Sequence, residues 1–426
     1  MGDQRANPSG FGARLRRRRE EAGLSLDALS RITGYSKGYL SKLERGVKRP
    51  SIECARRCDH LLSAQGSLAS LGPSRRPPSA LPESASSIGE IWRLELRPDG
   101  RDSVMLVDEA SDSTAETALL GWSLDSGVGR SSEPPLAEIG RVLEDLRTIG
   151  HGSRPALVIP MLVGGLHLLR QLAGRASARS KREVLRLATR FADYTGWMAQ
   201  ETGDERAALW WTDFAMALAR AAEDSDSAAY ALVRKAELAL YRGDWSTAIS
   251  LVESAQQHSR DPVVLSIAAQ REAQGRALSG DERGCRRALE RARRTAAAEV
   301  GRPPQRASYG SHSLADPIAF AAGWSLYDLG QSEACVELLS EELQRLPEHA
   351  HRMRARCAVR LARALAGQHR VAEACLVIDP VLGELIAVDS ATIRVDLREL
   401  SVTLNRWHSH GAIRRIQPAL AQALTH

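Results

Sequence analysis

Five times between residues 203 and 368 a glycine is followed by a short polar side chain: Gly203-Asp204, Gly243-Asp244, Gly280-Asp281, Gly330-Gln331 and Gly367-Gln368. The intervals are 40, 37, 50 and 37 residues. Small side chains keep step with these turns. Five residues after each glycine stand Ala208, Ala248, Cys285, Cys335 and Ala372. Seven before the first four stand Gly196, Ala236, Ala273 and Gly323, and twelve after the first three stand Ala215, Ala255 and Ala292. From about Pro134 onward the hydrophobic period is helical, so the pattern predicts antiparallel helices that approach closely where their side chains are small.

Composition agrees. Only five of the 58 basic residues are Lys, and Asn7 and Asn405 are the only asparagines. Ala and Arg are abundant and favour helix, whereas Val, Ile, Phe and Tyr are sparse. The 426 residues suggest two or three domains, and 43% hydrophobic content is ample for packed cores. The net charge of +6 is unevenly placed. Residues 1–60 hold 14 Lys/Arg against 7 Asp/Glu, a local +7, and the remainder sums to −1. A clustered positive block points to a polyanion partner for that segment.

The same segment is tightly punctuated. Between Gly10 and Leu62 it reads as five short helices: Phe11–Ala22 stopped by Gly23, a second from Leu26 capped by Ser25, a third over Lys37–Arg45 capped by Ser36, a fourth after Pro50-Ser51, and a short fifth. Leu26, Leu29 and Ile32 are expected to face the core. Two short helices joined by Thr33-Gly34-Tyr35-Ser36 make a helix-turn-helix. The stretch from Leu24 to Ser51, with Leu29, Gly34, Ser36, Leu40-Ser41, Leu43-Glu44, Gly46 and Pro50 in place, resembles the XRE-type, lambda-repressor-like DNA-binding domains over about 60 residues. The resemblance implies that the third helix enters the major groove. It assigns base reading to Lys37, Gly38, Tyr39 and Lys42, and phosphate contact to Ser36, Ser41, Lys48, Arg49 and Arg14. Arg19 is expected to pair with Glu44 and fix the angle between helices. Cys54 and Cys58 read as packing residues rather than metal ligands.

The domains expected are a head at 1–72, a Pro/Ser-rich linker at 73–90 that leaves the head loosely held, a small β-containing segment at 91–125 and a helical repeat domain at 126–426. Within 91–125, Trp92, Leu94 and Leu96 alternate with polar residues before Pro98-Asp99-Gly100, which predicts a hairpin with Val104, Leu106 and a further partner at 119–124. The fold class expected is mostly α, with a five-helix head, a short β-hairpin patch and an antiparallel-helix superhelix.

The repeats resemble tetratricopeptide repeats over about 200 residues in five units, with Ile416 after Gly411 marking a terminal cap. That frame places Arg190, Asp193, Trp197, Gln200, Tyr230, Glu237, Gln270, Gln274, Phe320, Trp324, Tyr327 and Arg354 on the concave face, a composition suited to a peptide or small-molecule effector. The combination resembles the bacterial peptide-sensing RRNPP regulators and actinobacterial regulators. With no asparagine between positions 8 and 404, such a ligand is held by Gln and Arg or is absent.

Other chemistry is not visible. No phosphate loop, GxSxG or HExxH is present, so an enzyme is not expected, nor a cofactor, nor a metal at His349, His351 and Cys357 or at His408 and His410. Six scattered Cys without a CxxC pair fit a reduced cytoplasmic protein. The longest apolar stretch, Pro155 to Leu169, is interrupted by Pro160, Gly164, Gly165 and His167 and is shorter than a membrane span. The function expected is a transcriptional regulator that binds double-stranded DNA as a homodimer. The alternative is a protein-interaction scaffold with incidental DNA contact.

Overall fold

The computed structural model describes residues 10–71, 91–95, 103–107, 135–297, 309 and 316–425. The chain divides into two compact units. Unit 1 comprises residues 1–78, 232–386 and 393–426, and unit 2 comprises 79–231 and 387–392.

Unit 1 begins with a head of four helices: α1 (Phe11–Glu21), α2 (Leu26–Thr33), α3 (Lys37–Glu44) and α4 (Ile52–Leu61). The fifth helix expected is only a single 3-10 turn, Ala69–Leu71. Ser63, Gln65 and Gly66 all adopt positive φ, which a right-handed helix cannot pass through. Phe11, Leu15, Leu29, Leu40, Leu43, Cys54, Cys58, Leu62 and Leu68 form the head's core. Ile32 is not among them and is 42% exposed. The inward face of α2 passes from Leu29 to Thr33, one full turn on, so position 32 points outward.

In unit 2, β1 (Ile91–Glu95) and β2 (Ser103–Val107) pair antiparallel, with Leu94 opposite Val104. The fold class expected from sequence is corrected here. Beyond this ribbon the regular structure among the described residues is helical, and a single pair of five-residue strands is too small to stand as a β element of the fold class. The additional strand expected at 119–124 and the linker at 73–90 lie outside the described residues.

The rest of unit 2 is α5 (Leu136–Gly152), α6 (Pro155–Arg175), α7 (Ala178–Thr202), α8 (Glu205–Ala221) and the first part of α9 (Ser225–Arg242). α6 runs through Pro160 and both glycines without a break. Pro160 falls in its second turn, where a missing N–H costs one bond, and Val158, Leu162, Leu166 and Leu169 are buried along one face. Over Pro155–Gly174 the helix is therefore long and apolar enough to cross a bilayer by length and composition, with 33% of that window buried inside the protein. The expectation that this stretch is interrupted does not hold.

The remaining helices of unit 1 are α10 (Trp245–His258), α11 (Pro262–Leu278), α12 (Glu282–Ala297), α13 (Pro317–Asp328), α14 (Ser332–Arg345), α15 (His351–Gly367), α16 (Val371–Ile378), α17 (Leu382–Val388), α18 (Ala391–Leu404) and α19 (Gly411–Thr425), with residues 387–392 counted in unit 2. The repeated turns have a common mechanism. Gly203 in unit 2, and Gly243, Gly280 and Gly330 in unit 1, are all left-handed, with φ between 77° and 89°. After the first three of these, the Asp carboxylate accepts from a backbone N–H of the next helix: Ala207 N, Thr247 N and Gly284 N at 2.8–3.1 Å. Gly ends one helix and Asp starts the next.

The last repeat sits two residues later than its glycine suggests. Gly367 is still helical, and the left-handed residue is His369, with φ 65°. Counting from His369 puts Ala374 five residues after and Ala362 seven before, both fully buried, whereas Ala372 is exposed. Arg360 is thereby released from the small-residue position the shorter frame would have given it.

The head packs on these turns within unit 1. A Cβ on Gly66 would lie 2.6 Å from the Ser279 carbonyl, and one on Gly330 would lie 3.1 Å from the Arg56 carbonyl. Arg56 pairs with Asp328, and Arg57 donates to the Gly367 carbonyl at 2.7 Å. The His369 imidazole lies over Gly34. Three successive turns thus hold the head, which is not the loose arrangement expected from the linker.

Candidate DNA-binding surface

The helix-turn-helix is built by short-range bonds. The Ser25 hydroxyl accepts from Ala28 N at 3.1 Å, Ser36 from Tyr39 N at 3.2 Å and Ser51 from Cys54 N at 3.1 Å, so α2, α3 and α4 each start on a serine cap. Gly34, at φ 73°, turns the chain between α2 and α3. Ser30 Oγ donates to the Tyr35 carbonyl at 2.7 Å and closes the turn.

On the outer side, Lys37, Gly38, Lys42, Lys48 and Arg49 are exposed, Ser36 and Arg14 with them, and Ser41 is half-buried. Nothing lies within 4 Å of a Cβ built on Gly38. Lys37 Nζ rests 2.7 Å from Asp27 on α2. Tyr39 differs from the other sequence-assigned readers. It is half-buried, its hydroxyl meets Ser51 and Cys54, and Lys48 Nζ stands 5.3 Å from its ring centroid. Burial first, and then Cys54, push its phenol up to about 12, so the group stays neutral. Among the sequence-assigned residues, Lys42, Lys48, Arg49 and Arg14 therefore offer charge to a polyanion, with Lys37 shared with Asp27.

The arginine run on α1 separates into two roles. Arg16 pairs with Glu20 at 2.8 Å, and Arg17 with Glu21 at 2.7 Å, along the helix surface. Arg19 turns inward. It bonds both oxygens of Glu44 at 2.6 and 3.0 Å and gives a third bond to the Leu24 carbonyl at 2.8 Å. This clamp fixes α3 against α1, as the sequence suggested.

Two structural devices escaped the sequence reading. Asp59 is buried, and its carboxylate accepts from Gly66, Leu68 and Ala69 N at 2.6–3.1 Å, which shapes the loop that meets the Gly280 turn. No local motif distinguishes it from any other helical Asp. Arg56, Arg57 and His60 form the face turned to the Gly330 turn and Gly367. Cys54 and Cys58 are both fully buried, and no group of three or more potential metal ligands occurs among the described residues. The hydrogen bond with Cys54, and then burial, raise the Cys58 thiol well above its ordinary range.

The concave-face candidates fall into both units. In unit 2, Arg190 pairs with Glu144, Trp197 packs against Tyr194 in a tilted arrangement with ring centroids 5.5 Å apart, Asp193 is half-buried, and Gln200 and Tyr230 are buried. In unit 1, Glu237 lies between Arg234 and Arg271, Gln274 accepts from Arg271 at 3.2 Å, and Gln270 and Phe320 are buried. The Arg360 guanidinium sits 3.1 Å over the Trp324 ring, and Arg363 sits 4.8 Å from the Tyr327 centroid. Arg354 reaches Glu384 at 3.4 Å. The inward stripe of α15 is instead Arg352, Arg356 and Arg360, all buried and four residues apart. Sequence reading passed over it because arginines at helical spacing ordinarily mark a solvated face, and fully buried arginines are rare.

No curated protein matches the chain. Residues 11–71, the four helices and the 3-10 turn that carry this surface, match a protein family described as a helix-turn-helix domain.

Proposed function

We propose that the chain is a cytoplasmic, sequence-specific transcriptional regulator of the XRE, lambda-repressor-like type, acting by binding rather than by catalysis. Its head binds one half of a near-palindromic operator and a homodimer places two heads about 34 Å apart, one turn of duplex DNA. The observation that carries this reading is the outer face of α3. Lys37, Gly38 and Lys42 are exposed on a helix whose inner face is locked by Glu44–Arg19, with Lys48 and Arg49 on the following loop. Such a face meets base edges and phosphates together.

The helical body is read as tetratricopeptide-like, serving dimerisation and sensing of a peptide or small-molecule effector. Val142, Ile149, Leu157 and Met161 are 40–57% exposed on α5 and α6, which supports an interface between copies. The head's seat on the Gly280, Gly330 and His369 turns supports coupling, since a ligand that shifts those helix pairs shifts the heads by population.

Electrophoretic shift with genomic fragments tests the reading. The full chain is expected to give a salt-sensitive complex, and Lys37→Ala/Lys42→Ala/Arg49→Ala to lose it. A chain that regulates its targets unchanged after that triple substitution overturns DNA reading by this face.

A further inference from the structure

The corner between α18 and α19 carries exposed cations that the helix-turn-helix does not account for. Glu399 is the last acidic residue of the chain, and Arg406, Arg414 and Arg415 follow it. Arg406, His408, His410, Arg414 and Arg415 are all exposed. Their charges are not equally available. Arg415 approaches Asp379 at 3.5 Å, and His408 and His410 bond to the backbone of Asn405 and Ala412 at 3.3 Å. Arg406 and Arg414 remain as the projecting cations of the corner.

The location of this corner is fixed by packing. The Trp407 ring stands edge-on to His369 with centroids 5.3 Å apart, and His369 lies over Gly34, the turn residue that delivers α3. Arg406 is near enough to act electrostatically on both His369 and Tyr39, whose hydroxyl sits at the start of α4. The corner is therefore continuous with the end of the head that presents α3 and the following loop. The head itself offers less free charge than its sequence suggests, because Arg16, Arg17 and Lys37 are already paired.

We propose that the α18–α19 corner is a second DNA contact, in which Arg406 and Arg414 bind backbone phosphates flanking the half-site read by α3. The inference rests on the DNA-binding reading of the head. The corner makes no base contact. It adds affinity and salt dependence, holds the body in register with the duplex, and leaves sequence preference to α3.

The test uses the full chain and the shortest genomic fragment that the wild type retains. Arg406→Ala/Arg414→Ala is compared with Arg293→Ala/Arg294→Ala, which removes two exposed arginines from the end of α12 remote from its turn with the head. The corner variant is expected to lower the slope of log affinity against log salt by about 1.8, at 0.9 per lost phosphate contact, equally on matched and mutated operators. Hydroxyl-radical footprints are expected to lose protection only outside the half-site. The control variant keeps both slope and footprint. An unchanged slope in the corner variant, or a fall of the same size in the control, overturns the contact while leaving the reading of the head intact. Absence of any wild-type complex overturns both.

Discussion

Arg19 on α1 and Glu44 on α3 face each other as a two-pronged ion pair, Nε to Oε1 at 2.6 Å and Nη2 to Oε2 at 3.0 Å, with 11% and 6% of their side chains exposed. Removing one partner leaves a desolvated charge behind. Arg19→Ala is expected to cost the head about 3 kcal/mol, whereas Arg19→Met/Glu44→Leu recovers most of it. Thermal unfolding of the full chain measures both. A double variant as unstable as the single one shows that the pair does more than compensate buried charge.

Gly66 is expected to be irreplaceable for docking of the head. Its φ is 84°, and an added Cβ meets the Ser279 carbonyl at 2.6 Å. Gly66→Ala combines backbone strain of about 1 kcal/mol with a collision against backbone that cannot swing aside. Faster amide exchange is expected in residues 60–71 and 276–284 together. Exchange confined to the first segment contradicts the contact.

Gly323 and Leu339 test the small-residue rule. A Cβ at 323 would lie 2.5 Å from Leu339 Cδ2, in a position where Leu339 is fully buried. Gly323→Ala is expected to cost about 1–3 kcal/mol by overpacking, and Leu339→Ala about 2–5 kcal/mol by leaving a cavity. The double variant is expected to be more stable than the sum of the two losses, because the new methyl fills part of the hole. Strict additivity in urea unfolding contradicts the contact.

Glu237 is expected to contribute to acid stability in unit 1. Burial alone raises its carboxyl, yet Arg234, then Arg271 and Arg356, outweigh burial and hold it at about 2. The folded value lies below the unfolded one near 4.3. The stabilisation is therefore complete above roughly pH 4.5 and is lost as pH falls towards 2. Glu237→Gln is expected to lower stability at neutral pH and to flatten the urea midpoint across that window. A variant with the same acid slope as wild type assigns the slope to other carboxylates.

The helices and turn of the head were legible in the sequence because their signals are local. Ser25, Ser36 and Ser51 cap the helices they precede, and Gly34 turns where a left-handed residue is required. The repeat turns were legible for the same reason at Gly203, Gly243, Gly280 and Gly330. The rule failed at the fifth turn, where His369 takes the left-handed position that glycine usually occupies. The exposure of Ile32 and the inward turn of Tyr39 were not legible either. Both follow from which side of a two-turn helix meets the head's core, and a helix that short carries too few residues to fix its own phase.

The sequence by itself determined a helix-turn-helix head, a helical body punctuated by left-handed turns, and the placement of small residues where helices cross. Each depends on interactions within about ten residues or on a repeated steric rule. The tertiary structure decided the rest. Arg56 and Asp328 are 272 positions apart, and Arg57 and Gly367 are 310 apart. No spacing rule reaches such distances. The seat of the head on three turns, the arginine stripe inside α15 and the positive corner beside Gly34 arise only when packing brings remote residues together.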